Sequence, residues 1–229
     1  MDQAAQDFWL DHLGEATRFN DWVFSRVQPY LGARVLEVGC GSGIFTALIA
    51  KAGHDVTGYD IHAPYIDMAR ARLAGFGNAR VYCADATEAE LDGGYDSVVL
   101  LDVLEHIADD TGFLGKLRRT LRPGGSIVLK VPAHPALFSA MDKAVGHYRR
   151  YSAASLARAF GAAGFSSVEQ RPFNTVAALG WFLNGRMLGR TTPPADQIAA
   201  FERLVPVLRA VEDRVRMPLG MSLIAAARA

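Results

Sequence analysis

The stretch VLEVGCGSG, Val35–Gly43, decides how this chain is read. A short apolar run leads into a turn holding Gly39, Gly41 and Gly43, and a segment with helical character follows. Such a turn lets a ligand approach the backbone, and the start of the next helix offers unpaired N–H groups. A glycine-rich turn alone is a weak signal, but two details sharpen it. The spacing is G-x-G-x-G, not the G-x-G-x-x-G of dinucleotide folds, which argues against an NAD-dependent oxidoreductase. Glu37 lies inside the strand, two residues before the turn, where a carboxylate meets a cationic or amino group more naturally than a pyrophosphate.

Working outward, DVTGYD, RVYCAD, YDSVVLLD and GSIVLKVP are further short apolar runs, and helical segments separate them at Gly43–Ala52, Tyr65–Ala74 and Asp110–Leu121. Strand and helix alternating in this way, with near-continuous apolar strands, predict an α/β fold with a parallel sheet covered on both faces. Ser152 is placed to cap a helix over Ala153–Ala163. Phe165–Phe173 and Gly220–Ala229 read as a sixth and a seventh strand. Toward the N-terminus, Phe19, Trp22, Val23, Val27 and Tyr30 recur at helical steps, with Gly14 as a break, and predict a packing helix. The domain reading is an N-terminal helical cap (1–32), a core (33–173), a helical insertion (174–217) and a closing strand (218–229). In the insertion, Phe201, Leu204, Val205, Leu208, Val211 and Val215 form a helical stripe with Pro206 as an expected kink. Core or cap packing, a homodimer surface and a membrane-facing lid all remain readings of it.

Composition excludes several classes. Of 229 residues half are apolar, so a sizeable core is available. Lys+Arg and Asp+Glu both number 24, so the basic excess of a non-specific nucleic-acid binder is absent. Cys40 and Cys83 have no metal-ligand rhythm. The first residues are acidic, unlike a secretory signal, and the apolar runs are far shorter than a spanning helix needs. A cytoplasmic protein is expected, with no membrane contact.

The second and third strands end in Asp60 and Asp85. The first can hold both hydroxyls of a ribose; the second, at the same sheet edge, can accept an adenine amine. Together with Glu37, they suggest a ligand carrying ribose, adenine and positive charge. These residues resemble a class I S-adenosylmethionine-dependent methyltransferase. VLEVGCGSG is similar to the family's first motif, LLDVLEHI to its fourth-strand motif and LRPGG to the turn before strand five. The resemblance spans roughly residues 33–173 and implies a Rossmann-like seven-stranded sheet with the last strand antiparallel. It implies S-adenosyl-L-methionine as cofactor, with Glu37, Gly39, Gly41 and Gly43 at its methionine part, Asp60 and Ile61 at the ribose, Asp85 and the Ala86 N–H at the adenine, and Asp102 nearby. In that strand order Cys40 and Cys83 are two strand spacings apart, too far for a disulfide.

Methyl transfer from a sulfonium needs positioning and water exclusion, and a base when the acceptor is a hydroxyl. His106 lies four residues after Asp102, and a helical turn would put both on one side. GHYRRYS, Gly146–Ser152, sits on the long link leaving strand five. With Asp142 upstream it resembles a Gly-His-x-Arg-Arg-Tyr loop found in one branch of the family. His147 is then a second candidate base, and Arg149, Arg150 and Tyr151 are candidate contacts to a small-molecule acceptor; a solvated turn is the alternative. No metal is expected, since VPAH after strand five lacks the acidic pair of the metal-dependent members. Two further readings stay open: a peripheral methyltransferase of a lipid-linked or prenylated acceptor, and a catalytically silent binding protein.

Overall fold

The computed structural model describes residues 16–190, 195–215 and 217–229. The expected break at Gly14 lies outside them. Seven strands form one sheet: β1 (Arg34–Val38), β2 (Asp55–Asp60), β3 (Ala79–Cys83), β4 (Tyr95–Leu101), β5 (Leu121–Pro132), β6 (Ser166–Phe173) and β7 (Ser222–Arg228), in the order β3-β2-β1-β4-β5-β7-β6. β7 runs antiparallel to both its neighbours, and the pairs among β1–β5 are parallel.

Alternate residues of a strand face opposite sides, so a strand covered on both faces must be apolar throughout. β4 shows this directly. Val98 and Leu100 join Leu36, Ile127 and Leu129 beneath α4 (Asp110–Thr120) and α6 (Ala153–Ala162), with Leu114, Leu117 and Phe160 filling the layer. Val99, between them, joins Val35 and Val128 on the other face, against α1 (Thr17–Val27) and α2 (Ile44–Lys51). Trp22 and Val23 of α1 are fully buried there with Phe173, so this helix is part of the core. A third, smaller cluster seats α3 (Ala63–Leu73) through Ile66 and Ala69.

One expectation is corrected. LRPGG is not a separate turn: Leu121 pairs with Tyr95 and Ser126 with Ser97, so the residues between them bulge within a longer β5. α8 runs Ala195–Glu212 with Pro206 inside it. Before α8, α7 (Thr175–Trp181) continues as a π-helical turn, Phe182–Met187.

The carboxyl ends of β1–β6 lie along one edge. Three residues just past these ends have left-handed backbones: Asp102 (φ 55°) after β4, His134 (φ 60°) after β5 and Asn174 (φ 60°) after β6. Asp, His and Asn are the side chains that best tolerate this region. Each sharp exit sends the chain over the edge where ligands of open α/β sheets bind.

Candidate active site

At that edge Gly39, Gly41 and Gly43 take φ of 75°, 52° and 77°. A Cβ on Gly39 would lie 2.3 Å from Val103 Cγ2, so the turn packs too closely on the segment after β4 for any other residue. The Gly41 N–H donates to Asp60 Oδ2 (2.9 Å) and the His62 N–H to Oδ1 (2.9 Å). Asp60 thus fastens the turn to the end of β2. A carboxylate offers about four lone-pair sites, so these bonds leave capacity for a ligand hydroxyl. Ile61 beside it is 64% exposed, an apolar surface next to an acid. Asp85 Oδ1 accepts from the Thr87 N–H (2.8 Å) and hydroxyl (2.7 Å), a local turn that does not use Oδ2. Ala86 is buried.

Glu37 is buried and accepts a 2.6 Å bond from the Thr46 hydroxyl. Burial pushes its carboxyl up to about 8; the Thr46 bond opposes this and the charge of Asp60 adds to it. Without a cationic partner, Glu37 is therefore mostly protonated at neutral pH. Cys40, a free buried thiol, is pushed up by burial and then by Glu37 and Asp60, which makes it inert; Cys83 is free and exposed.

The second half of the site forms where the segment after β4 meets the loop after β5. The left-handed Asp102 leads into a 3₁₀ turn, Leu104–His106, so the helical spacing expected between Asp102 and His106 does not hold. Asp102 instead pairs with Lys130 of β5. The ring of His106 packs edge-on against that of His147, with centroids 4.7 Å apart. Burial, then the neighbouring His147, hold His106 down to about 4, so it is neutral.

The loop GHYRRYS is held by two carboxylates. Asp142, in α5 (Ala140–Val145), accepts from His147 Nδ1 (2.9 Å) and Arg150 Nε (2.7 Å) through Oδ1, while Oδ2 caps its own helix at the Ser139 N–H. Burial pushes Asp142 up, but the His147 bond and the Arg150 charge outweigh it and hold the carboxyl below its ordinary range. Asp110 accepts from Tyr151 Oη (2.8 Å) and pairs with Arg149 (2.7 Å). Arg149 and Tyr151 share Asp110, while His147 joins Arg150 on Asp142, just after the left-handed Gly146 turns the chain. Arg150 is buried, with its guanidinium 4.7 Å from the ring centroid of Trp181 in α7. Arg150 and Tyr151, candidate acceptor contacts by sequence, bond Asp142 and Asp110 and so brace the loop.

Sequence reading missed Glu105. It is fully buried, neither carboxylate oxygen has a hydrogen-bond partner, and Oε1 lies 3.7 Å from His147 Nε2. Burial, then Asp102, raise its carboxyl well above the ordinary range. Its place next to His106 was the available signal, but nothing in the chain order indicated that His147 would meet it. Donor atoms of Glu105, His106 and His147 all lie within 4.8 Å of one another, close enough to share a proton or gather a cation. A cleft lined by Tyr30, Gly32, Asp96, Arg122 and Arg228 lies at the opposite, amino edge of the sheet and takes no part.

A glycine turn, three strand-end acids and a histidine cluster thus share one sheet edge. Residues 16–170 match the family described as the methyltransferase domain. The chain belongs to that family. A ubiquinone biosynthesis O-methyltransferase of Xanthomonas axonopodis pv. citri is 33% identical to this methyltransferase domain over 123 residues, 52% of this chain and 51% of that protein. The chain thus spans about half the length of that relative. Among solved structures, a putative methyltransferase of Haloferax volcanii, in complex with the Trm112 activator, superposes with a TM-score of 0.69 at 18% identity, over 100% of this chain and 97% of that one. Haemonchus contortus phosphoethanolamine N-methyltransferase 2, in complex with S-adenosyl-L-methionine, gives 0.63 at 17% identity, over 90% and 51%. Both share the fold of this methyltransferase domain.

Proposed function

We propose that this methyltransferase domain transfers a methyl group from S-adenosylmethionine to a hydroxyl of a small-molecule acceptor, without a metal, using His147 as the base. The observation that carries this reading is the Asp142–His147 pair, set at the cofactor edge of the sheet. The name of the Xanthomonas relative favours oxygen as the nucleophile.

The residues present suit the cofactor. Glu37 is a buried acid ready for an amino group, the glycine turn brings the backbone close, Asp60 keeps free lone pairs for ribose, and Asp85 Oδ2 is open to an adenine amine. The bound cofactor supplies an activated methyl on a sulfonium. The chain's own part is to orient the acceptor, exclude water and take its proton. Asp142 only accepts, so it fixes the proton of His147 on Nδ1 and leaves the Nε2 lone pair as the base. The acceptor hydroxyl would give its proton to Nε2, and Asp142 would stabilise the resulting imidazolium. Neutral His106 beside it adds no opposing charge. Arg150 holds Asp142 in place, and Arg149 and Tyr151 tie the loop to Asp110.

Isotopically labelled S-adenosylmethionine, incubated with the protein and a metabolite extract, is expected to label a small molecule in a His147-dependent manner. No labelled product in any extract would overturn the reading. Asp60→Ala is expected to weaken cofactor binding by about 1–3 kcal/mol, the scale of hydrogen bonds to a charged acceptor; unchanged affinity by calorimetry would remove the ribose assignment. EDTA is expected to leave turnover intact, because the VPAH segment at the end of β5 offers no acidic pair to hold a metal. Activity lost to EDTA and restored by magnesium would instead give Glu105, His106 and His147 to a cation.

A further inference from the structure

The segment between β6 and β7 carries a surface that methyl transfer does not explain. Among the described residues, eleven of the fifteen exposed large hydrophobic side chains fall between Val176 and Leu219, which concentrates them on one part of the chain. That part is an antiparallel hairpin of α7 and α8: the N–H groups of Asn174 and Thr175 bond to Glu212 at the far end of α8, and Asn184 bonds to Gln197 near its start. Both helices show the same spacing. On α8, Leu204, Val207 and Val211 stand 51%, 62% and 46% exposed, and Val215 continues the row one turn on. On α7 and its π-helical turn, Val176, Leu179, Leu183 and Met187 repeat the steps of three and four. Val205, on the inward face of α8, is fully buried, so the exposed row is surplus to the core.

Charge is sorted on the same hairpin. Glu202 accepts from the N–H groups of Arg18 and Phe19, Glu212 from those of Asn174 and Thr175, and Asp213 pairs with Arg26. These three acids are drawn toward the body of the protein. Helical spacing puts Arg203 and Arg214 beside the apolar row; both are exposed, and neither has a carboxylate partner among the described residues. An apolar row edged with exposed arginines that have no carboxylate partner among the described residues has the pattern of a helix lying in the surface of an anionic bilayer. Among the described residues no helix is long and apolar enough to cross one. The hairpin leaves β6 and returns to β7 at the ligand edge, and Trp181 of α7 touches Arg150 of the acceptor loop.

We propose that the exposed apolar row of the α7–α8 hairpin, edged by Arg203 and Arg214, docks this protein on an anionic lipid surface. The test is flotation of the full chain with phosphatidylcholine vesicles, with and without phosphatidylglycerol, in the absence of cofactor and acceptor, so that it reads independently of catalysis. The protein is expected to float with the phosphatidylglycerol vesicles, less so as salt is raised. Val207→Glu combined with Val211→Glu is expected to abolish flotation at unchanged thermal midpoint. Arg203→Ala and Arg214→Ala are each expected to weaken it about fivefold, and they carry the test if the double variant does not fold. Failure to float with either vesicle, or flotation indifferent to these substitutions, overturns the proposal. So does a dimer in light scattering that the double variant dissolves while vesicle binding is absent, which would assign the row to a second copy of the chain.

Discussion

His147→Ala is expected to lower kcat/KM by about 10²–10⁴-fold, the usual contribution of a positioned base, while the dissociation constant for S-adenosylmethionine changes by less than about twofold. The reason is positional. The residues proposed for the cofactor lie in or just after β1, β2 and β3, whereas His147 reaches the same edge from the loop after β5. Asp142→Asn should fall in the same direction, because the amide no longer dictates which ring nitrogen carries the proton. It also loosens Arg150 and the cap on α5, so its thermal midpoint must be measured alongside. His106→Ala is the control for the base, since its ring touches that of His147. Full activity in His147→Ala would reduce the loop to a structural turn. A loss confined to cofactor affinity would make it a lid.

Cofactor affinity is expected to rise with pH, by about tenfold between pH 6 and pH 7 and roughly fiftyfold between pH 6 and pH 8. Glu37 holds its proton up to about 8 in the free protein, and an amino group bound there requires the carboxylate. Binding should release about one proton at pH 7, readable by calorimetry in buffers of different ionisation enthalpy. Glu37→Gln should bind weakly with a nearly flat profile, and a flat profile in the unaltered protein would dissociate Glu37 from the amino group. The same shift acts on stability. The folded value lies above the ordinary 4.5, so the native chain keeps the proton longer than the unfolded one. That contribution is full below about 4.5 and is lost as pH rises to about 8. The cofactor-free protein should therefore lose stability across this window relative to Glu37→Gln.

The glycine turn and the strand-end acids at this edge were legible because each is local in sequence. Gly39, Gly41 and Gly43 follow Glu37 within one motif, and Asp60 and Asp85 each close an apolar run. Strand polarity alone brings them together. The acceptor half was legible only as candidates. Neighbouring residues in Asp142–Tyr151 revealed a charged loop, but its partners Glu105 and Asp110 belong to the segment after β4. They meet it only because β4 and β5 lie side by side in the sheet. The exit at Asp102 likewise escaped a reading by helical period, since a left-handed aspartate looks in sequence like any other. Pro206 sits inside α8 with its side chain on the exposed face.

The place of β7 has a consequence for how the chain is made. β6 has no neighbour in the sheet except β7, and β7 is wedged between β5 and β6. Until Ser222–Arg228 arrive, β5 keeps an open, largely apolar edge and β6 has nothing to pair with. During synthesis the ribosome therefore releases a long stretch whose outer strands stay unzipped, and closure of the sheet waits on a contact distant in sequence. Such folding is slow, and its waiting states are prone to stick to other chains. Chains that stop before Ser222 should engage chaperones, whereas chains carrying Ser222–Arg228 should close the sheet and be released.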